Sequence, residues 1–233
     1  MRYLLIPLIA FCCSAYSQEL LSDSKKEELN DLIIENRNKI NLLFNDLNGN
    51  KDEIDKLINI NYNTSVALFG KGHIDTSLNL INYINFLYSI GSKKNAFILW
   101  ESCGDSINKF TKLNVDNPNI TDRERNIVMA YYNLGPELHK SVGDYKSALL
   151  GAETYLNLFD YNTAEPSVIG LFNISRIHDY AIGCNSVISY IDICNKYEGY
   201  IKKCETSDNI SILNQLIILY NNLDKSHIAT GDD

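Results

Sequence analysis

The chain has 233 residues, 45% of them hydrophobic and 21% charged, which is enough for one ordinary domain or a short repeat array and too balanced for disorder. Only 4 Pro and 12 Gly are present, which disfavours loop-rich sandwiches and collagen-like sequences, because turns need those residues. The 21 basic and 29 acidic residues give a net charge of -8, the wrong sign for a surface that neutralises phosphates. We therefore expect a helical protein and no nucleic acid partner.

The first 17 residues have the order of a secretory signal peptide. Met1 and Arg2 give a positive start, residues 3–13 form an apolar run, and Ala15-Tyr16-Ser17 is a small-x-small cleavage pattern. This order predicts a mature chain that begins at Gln18 and is secreted or periplasmic, the alternative being a buried first helix. No later stretch is apolar for the roughly 20 residues that a membrane span needs, so we expect no membrane span.

Residues 18–62 predict a charged helical lead-in, or cap. Residues 22–47 read as one long helix that begins at a Ser22 or Ser24 cap. Asn48-Gly49-Asn50 then predicts the end of that helix, and residues 51–60 predict a second one. This pair of helices is expected to cover the first apolar face of the segment that follows.

A block of residues recurs along the rest of the chain, residues 63–233. Each copy begins with a large apolar or aromatic residue, which is followed by a residue with an amide side chain and by further apolar residues at helical spacing. A turn residue comes next, and the residue five positions after the turn is small or apolar. The blocks begin at Leu80, Tyr131, Leu171 and Leu213, and their turn residues are Gly91, Gly143, Gly183 and Asp224. The residues five positions after the turns, which we expect to pack between helices, are Ala96, Ala148, Ile188 and Ala229. The intervals between these helix-packing positions are 52, 40 and 41 residues. Chance recurrence in a chain rich in Leu, Ile and Asn is the alternative.

Helical periodicity supports the same organisation. Residues 122–134, 168–182 and 210–223 each carry apolar residues at i, i+3, i+4 and i+7, which predicts amphipathic helices that need neighbours. Pro136 is expected to kink the helix of its block, and Gly151 weakens the helix that follows. Because helical hairpins of this kind cannot bury their apolar faces alone, we expect successive hairpins to stack.

The blocks resemble tetratricopeptide repeats. The segment Gly70-Lys71-Gly72-His73-Ile74-Asp75-Thr76, followed by Leu80, Asn82, Leu87, Gly91 and Ala96, is similar to the longer repeat of kinesin light chains and of bacterial proteins with a caspase-like protease domain, although Ile74 replaces a Pro. Glu165-Pro166-Ser167-Val168 occupies the same entry position before Leu171. The resemblance implies an all-α, right-handed α-solenoid of stacked antiparallel hairpins. The last repeat stops at residue 229, just inside its second helix, and relatives are expected to continue into another domain.

In this repeat family the first helices of the hairpins line a concave groove that binds a protein or peptide segment. The resemblance places the groove residues at Asn85, Tyr88, Tyr132, His139, Lys140, Arg176, Asp179, Tyr180, Asn221 and Asn222. Amides, tyrosines and a few charges suit adaptable recognition of an extended peptide. Ordinary solvated helix positions, and self-association through the exposed C-terminal helix, are the alternatives.

An enzymatic interpretation competes with the repeat. Residues 65–73 and 96–101 read as two strands that lead to His73 and Glu101, a layout that resembles the erythromycin esterase-like hydrolases. Lys71 stands where that motif requires its first Glu, and a lysine cannot act there as a general base without a large pKa depression. We therefore expect no catalytic activity and keep a degenerate hydrolase as the alternative function.

The other chemically active residues predict no metal or cofactor. Cys103, Cys184, Cys194 and Cys204 lack C-x-x-C spacing and are expected to be small buried side chains. Cys194 and Cys204, ten residues apart in a predicted helix, are too far from each other for a disulfide. The histidines His73, His139, His178 and His227 are far apart in the sequence and are expected to serve packing or the surface.

Overall fold

A computed structural model describes residues 21–111, 121–158, 161 and 163–231. The predicted signal peptide and the start at Gln18 lie outside these residues. No strand occurs in the described ranges, which confirms the all-α class. The helices are α1 (Asp23–Leu43), α2 (Leu47–Phe69), α3 (Ile74–Ser89), α4 (Lys93–Thr111), α5 (Asp122–Ser141), α6 (Tyr145–Leu156), α7 (Val168–Ser175), α8 (Ile177–Gly183), α9 (Val187–Lys196), α10 (Glu198–Glu205) and α11 (Ile210–Thr230). The solenoid arrangement of these helices stays a prediction.

The chain divides into two compact units, Met1–Val128 and Met129–Asp233, and α5 crosses the boundary. In the first unit α2 packs against α1 and α3, and α3 packs against α4. In the second unit α6 packs against α8, and α11 packs against α7 and α9 around a core that includes Leu171, Tyr180 and Tyr190. The predicted division at residues 62 and 63 stays a prediction. None of the described helices is both long and apolar enough to cross a membrane.

The helix pairs α3–α4, α5–α6 and α8–α9 are joined by turns of one kind. Each turn places a residue in the left-handed conformation, with φ of 80° at Gly91, 85° at Gly143 and 56° at Asn185. The amide after each of these residues donates to the carbonyl five residues earlier: Ser92 to Leu87 at 2.8 Å, Asp144 to His139 at 2.9 Å and Ser186 to Ala181 at 2.8 Å. This is the Schellman pattern, which satisfies helix-end carbonyls. The turns predicted at Gly91 and Gly143 are confirmed.

The third turn lies two residues later than predicted. Gly183 is the last residue of α8, and Asn185 has the left-handed φ, so the interval to the previous turn is 42 residues. The helix-packing position is therefore Tyr190, which is fully buried, whereas the predicted Ile188 is 50% exposed. Counting back 42 residues from the buried Ala96 gives Ile54, which is also fully buried. The buried Ile54 of α2 thus precedes Ala96 by the same 42 residues that separate the buried Ala148 and Tyr190, whereas Ala96 and Ala148 are 52 residues apart.

The turn predicted at Asp224 is wrong. α11 continues through Asp224 and ends only at Gly231, whose φ is 77°. Residues 210–230 contain no Gly or Pro, so nothing in that stretch favours a left-handed turn over the helix. Ala229, expected at a helix-packing position, is exposed.

The lead-in begins as predicted and breaks earlier than predicted. The Ser22 hydroxyl accepts from the Lys25 amide at 3.3 Å and caps α1. A short 3-10 turn over Phe44–Asp46 ends α1, and the Asp46 carboxylate accepts from the Gly49 amide at 3.0 Å. Because this cap restarts the helix, Asn48-Gly49-Asn50 lies in the first turn of α2 rather than between two helices.

The two strands of the hydrolase alternative are not formed. Residues 66–69 belong to α2, which ends at Gly70 with φ of 82°, and residues 96–101 belong to α4. His73 is the N-cap of α3 and accepts from the Asp75 amide at 3.2 Å, whereas Glu101 is an exposed residue of α4. The strand prediction behind that alternative is therefore wrong.

The two residues that depart from the repeat pattern face each other. Pro136 lies inside α5, which is helical on both sides of it, and Gly151 lies inside α6. A Cβ atom built on Gly151 would lie 3.5 Å from Cγ of Pro136. Gly151 of α6 therefore lies next to the proline ring of α5, at a spacing that a methyl side chain would also fit.

Candidate functional site: an asparagine-lined cleft

A cleft of about 510 Å³ lies between α1, α2 and α3 of the first unit. Amide side chains dominate its polar lining, and aliphatic and phenyl side chains complete it. The lining residues are Arg37, Ile40, Asn41, Phe44, Ile58, Asn61, Leu78, Asn79, Asn82, Asn85, Phe86 and Ser89. Such a mixture of an apolar surface with a few polar groups is typical of binding clefts.

The walls of the cleft are α1 and α3, which run in the same direction. Arg37 donates from Nη2 to Oδ1 of Asn79 at 3.1 Å. Seven residues further along each helix, the Phe44 ring packs edge-on against Phe86 with a centroid distance of 6.3 Å. Seven residues of helix span roughly 10 Å. The cleft therefore matches about three residues of an extended chain in the polyproline II conformation, which advances about 3.1 Å per residue and brings every third side chain to the same face.

A buried polar network holds the floor of the cleft. Asn36 donates to Oδ1 of Asn61 at 3.0 Å, and Asn61 donates to the Ile33 carbonyl at 3.3 Å. The Ser65 hydroxyl donates to the Asn61 carbonyl at 2.8 Å and accepts from the side chain of Asn79. Because these buried groups are bonded to one another, they fix the positions of Asn61 and Asn79.

The upper walls carry amides that the fold does not use. Asn41 on α1, and Asn82 and Asn85 on α3, are exposed, and within the described chain their side chains make no hydrogen bond. A primary amide offers two donor hydrogens and an acceptor oxygen. These side chains can therefore bind both the N–H and the C=O groups of a peptide backbone.

Of the predicted groove residues, the structure places Asn85 in this cleft. Tyr88, one turn further along α3, is half-buried, and the Lys93 Nζ lies 5.8 Å from its ring centroid. In the second unit Tyr132 packs edge-on against Tyr131. On α11 Asn221 is exposed and Asn222 is half-buried.

The other predicted groove residues contact elements of their own unit. Lys140 of α5 pairs with Asp179 of α8 at 3.0 Å and lies 5.7 Å from the ring centroid of Tyr180. Tyr180 is fully buried, and its hydroxyl donates to Glu137 at 2.5 Å. His139 Nδ1 lies 3.3 Å from a carboxylate oxygen of Asp144. The placement of Tyr180 on an open groove is therefore corrected, because its ring is part of the core.

Arg176 is buried as well. It is 8% exposed, its Nη1 donates to the Asn133 carbonyl at 3.3 Å, and its guanidinium lies 5.4 Å from the Tyr155 ring centroid. Its Nε and Nη2 have no hydrogen-bond partner among the described residues. The accessible groove surface predicted at Arg176 is therefore corrected to a core position.

Sequence reasoning missed most of the cleft because it treated α1 as a cap. Arg37 and Asn41 follow each other at i and i+4 on α1, and Asn79, Asn82 and Asn85 recur at three-residue steps on α3. This spacing puts polar side chains on one face of each helix, and it could have indicated a polar surface on α1 and on α3. Within the described ranges, no group of three or more His, Cys, Asp or Glu side chains is arranged to hold a metal ion.

Comparison of the chain with protein-family models gave no match, and neither did comparison with curated proteins.

Proposed function

We propose that this protein is an exported interaction scaffold that binds an extended peptide or protein segment in the asparagine-lined cleft. The observation that carries the proposal is the set of unused amides on the two walls, Asn41 of α1 and Asn82 and Asn85 of α3, in a cleft that Phe44 and Phe86 also line. Backbone amides and carbonyls of a bound segment would bond to these side chains, and its side chains would contact Phe44 and Phe86.

The fixed floor supports a binding role. Asn61 and Asn79 are bonded within the fold, so the cleft is formed before a ligand arrives. A preformed site costs less conformational entropy on binding than a site that must be ordered. Export rests on the signal-like order of residues 1–17. A stacked-hairpin solenoid, as in tetratricopeptide-repeat proteins, is the arrangement that we propose for the repeats.

The test uses a fluorescently labelled peptide library with the purified protein and cleft variants. Asn82→Ala and Asn85→Ala should each weaken the selected peptides about fivefold or more, because a lost hydrogen bond costs about 1 kcal/mol. Asn38→Ala is the matched control, since Asn38 is an exposed asparagine of α1 outside the cleft. Equal affinities for the cleft variants and the control would place the binding surface elsewhere.

A further inference from the structure

Among the described residues that line the cleft, Arg37 is the one charged side chain. The remaining polar lining consists of neutral Asn and Ser side chains, although the chain as a whole has a net charge of -8. The charge of the cleft lining is therefore opposite in sign to the net charge of the molecule. An anionic group is the ligand chemistry that this contrast favours.

The guanidinium of Arg37 is only partly bonded. Its Nη2 donates to Asn79, while its Nε is buried and has no hydrogen-bond partner in the described part of the chain. None of the ion pairs found among the described residues includes Arg37. A guanidinium presents five N–H donors in a fixed fork, and although the Nε donor is buried, those of Nη1 make no hydrogen bond in the described part of the chain and remain for an incoming acceptor.

The carboxylate whose charge acts on Arg37, that of Asp75, already has a cation. Asp75 accepts from Arg123, and Nδ1 of His73 lies 3.5 Å from its other oxygen. Burial lowers the pKa of Arg37, an effect that Asp75 opposes and Arg123 reinforces. Asp75 is thus paired with Arg123, and the charge of Arg37 has no ion-pair partner among the described residues.

The far end of the cleft is apolar. Phe44 and Phe86 lie seven residues beyond Arg37 and Asn79 on their helices. The corresponding distance of about 10 Å is about three residues of an extended chain in the polyproline II conformation, in which side chains three residues apart share a face. A bound segment that contacts both ends would therefore have its two anchoring side chains three residues apart.

We infer that the cleft selects extended segments with an Asp or Glu side chain against Arg37 and an apolar side chain, three residues away, against Phe44 and Phe86. This inference rests on the proposed function and adds the chemical class of the partner. A carboxylate matches the fork of one guanidinium. A phosphate would bring a second negative charge for which the cleft has no second cation.

The test compares two pools of labelled hexapeptides by fluorescence polarisation. Both pools carry Leu or Phe at the fifth position and mixtures of neutral residues at the other positions. At the second position the acidic pool carries Asp or Glu, and the amide pool carries Asn or Gln. The protein should bind the acidic pool about tenfold more tightly or better, because hydrogen bonds between ionised partners are roughly twice as strong as neutral ones. Arg37→Gln should remove this ratio.

A second pair of variants keeps Arg37 in place. Asn41→Asp puts a carboxylate one helical turn from Arg37, where it can pair with the guanidinium. Both pools lose the amide of Asn41, and the acidic pool also meets the new carboxylate, so we expect the acidic pool to weaken by a larger factor than the amide pool and the ratio between them to fall. Asn38→Asp makes the same charge change on an exposed position of α1 outside the cleft and should leave the ratio unchanged. Circular dichroism verifies that each variant is folded.

The outcomes separate the two proposals. If neither pool binds, nor any other member of the peptide library, the proposed function fails. If peptides bind without an acidic preference, or the preference survives both Arg37→Gln and Asn41→Asp, the inference fails and the proposed function stands. Displacement of the acidic pool by inorganic phosphate at concentrations where acetate has no effect would overturn the carboxylate assignment.

Discussion

At the scale of single residues, two helical glycines of the second unit should respond in opposite ways to alanine. A Cβ on Gly151 would make an ordinary contact with Pro136, at 3.5 Å, and its φ is not in the left-handed region. Alanine is the better helix former, so Gly151→Ala should raise the free energy of unfolding by about 0.5–1 kcal/mol.

A Cβ on Gly170 of α7 would instead overlap the hydroxyl of Tyr200. That hydroxyl cannot move away freely, because it accepts from the Ser167 amide at 3.0 Å. Gly170→Ala should therefore lower the free energy of unfolding by about 1–3 kcal/mol. Urea denaturation of both variants measures the difference, and shifts of the same sign would contradict this account of α6 and α7.

The cysteines should differ in reactivity. Cys103, Cys194 and Cys204 are buried free thiols, whereas Cys184 is half-buried. Burial raises the pKa of Cys103 to about 12 and that of Cys194 to about 11. At about pH 8, roughly one Cys194 thiol in a thousand is ionised, and fewer of Cys103.

Since the thiolate is the reactive form, iodoacetamide should label Cys184 of the native protein well before the three buried residues. Mass spectrometry of a time course measures the order of labelling. A denatured sample, in which all four should react at similar rates, is the control. If Cys103 or Cys194 were labelled as fast as Cys184, the packing of its unit would not protect that thiol.

The burial of single residues was predicted correctly at some positions and incorrectly at others. Leu134 and Leu216, which lie in the predicted amphipathic helices of residues 122–134 and 210–223, are buried, and so are three of the four described cysteines. Tyr180 and Arg176 were expected on an open surface and are buried. Helical spacing determines which residues share a face, but α6 and α9 both pack against α8, and that arrangement depends on contacts between distant segments.

At the scale of elements, α11 offers a test of its two faces. Leu216 is 4% exposed where α11 packs against α7 and α9, while its neighbour Ile217 is 58% exposed. Leu216→Ala should lose about 2–5 kcal/mol of folding stability, because it leaves a cavity in the core. Ile217→Ala should stay within about 0.5 kcal/mol of the parent. Thermal and urea unfolding measure both, and comparable losses would mean that the exposed face has a partner in solution.

Element ends were predictable where glycine determines them. Gly91 and Gly143 have left-handed φ values that other residues rarely adopt, and both turns were predicted from the sequence. The third turn uses Asn185, a residue that tolerates this conformation without requiring it, so the nearby Gly183 was the misleading signal. At Asp224 no such residue exists, and the helix simply continues.

At the scale of the whole molecule, helical class followed from composition and periodicity, but the cleft did not. Its walls are α1 and α3, and the contacts between them join residues 42 apart, such as Arg37 with Asn79. Local patterns can place Arg37 and Asn41 on one face of α1. They cannot say which other helix that face meets, because the pairing is a tertiary property.

The charge of the whole molecule predicts how its association depends on pH. With 29 acidic and 21 basic residues the isoelectric point is about 5.0, so falling pH protonates carboxylates and brings the net charge from -8 towards zero. Repulsion between molecules then weakens, while exposed apolar side chains such as Ile217 and Ile228 on α11 keep their attraction for one another. Light scattering should show little association near neutral pH and a maximum near the isoelectric point. Lys146→Glu, at an exposed position of α6, makes the chain more acidic and should move the maximum to lower pH. Ile217→Asn should reduce its height without moving it, and association that is strongest at neutral pH would contradict the argument.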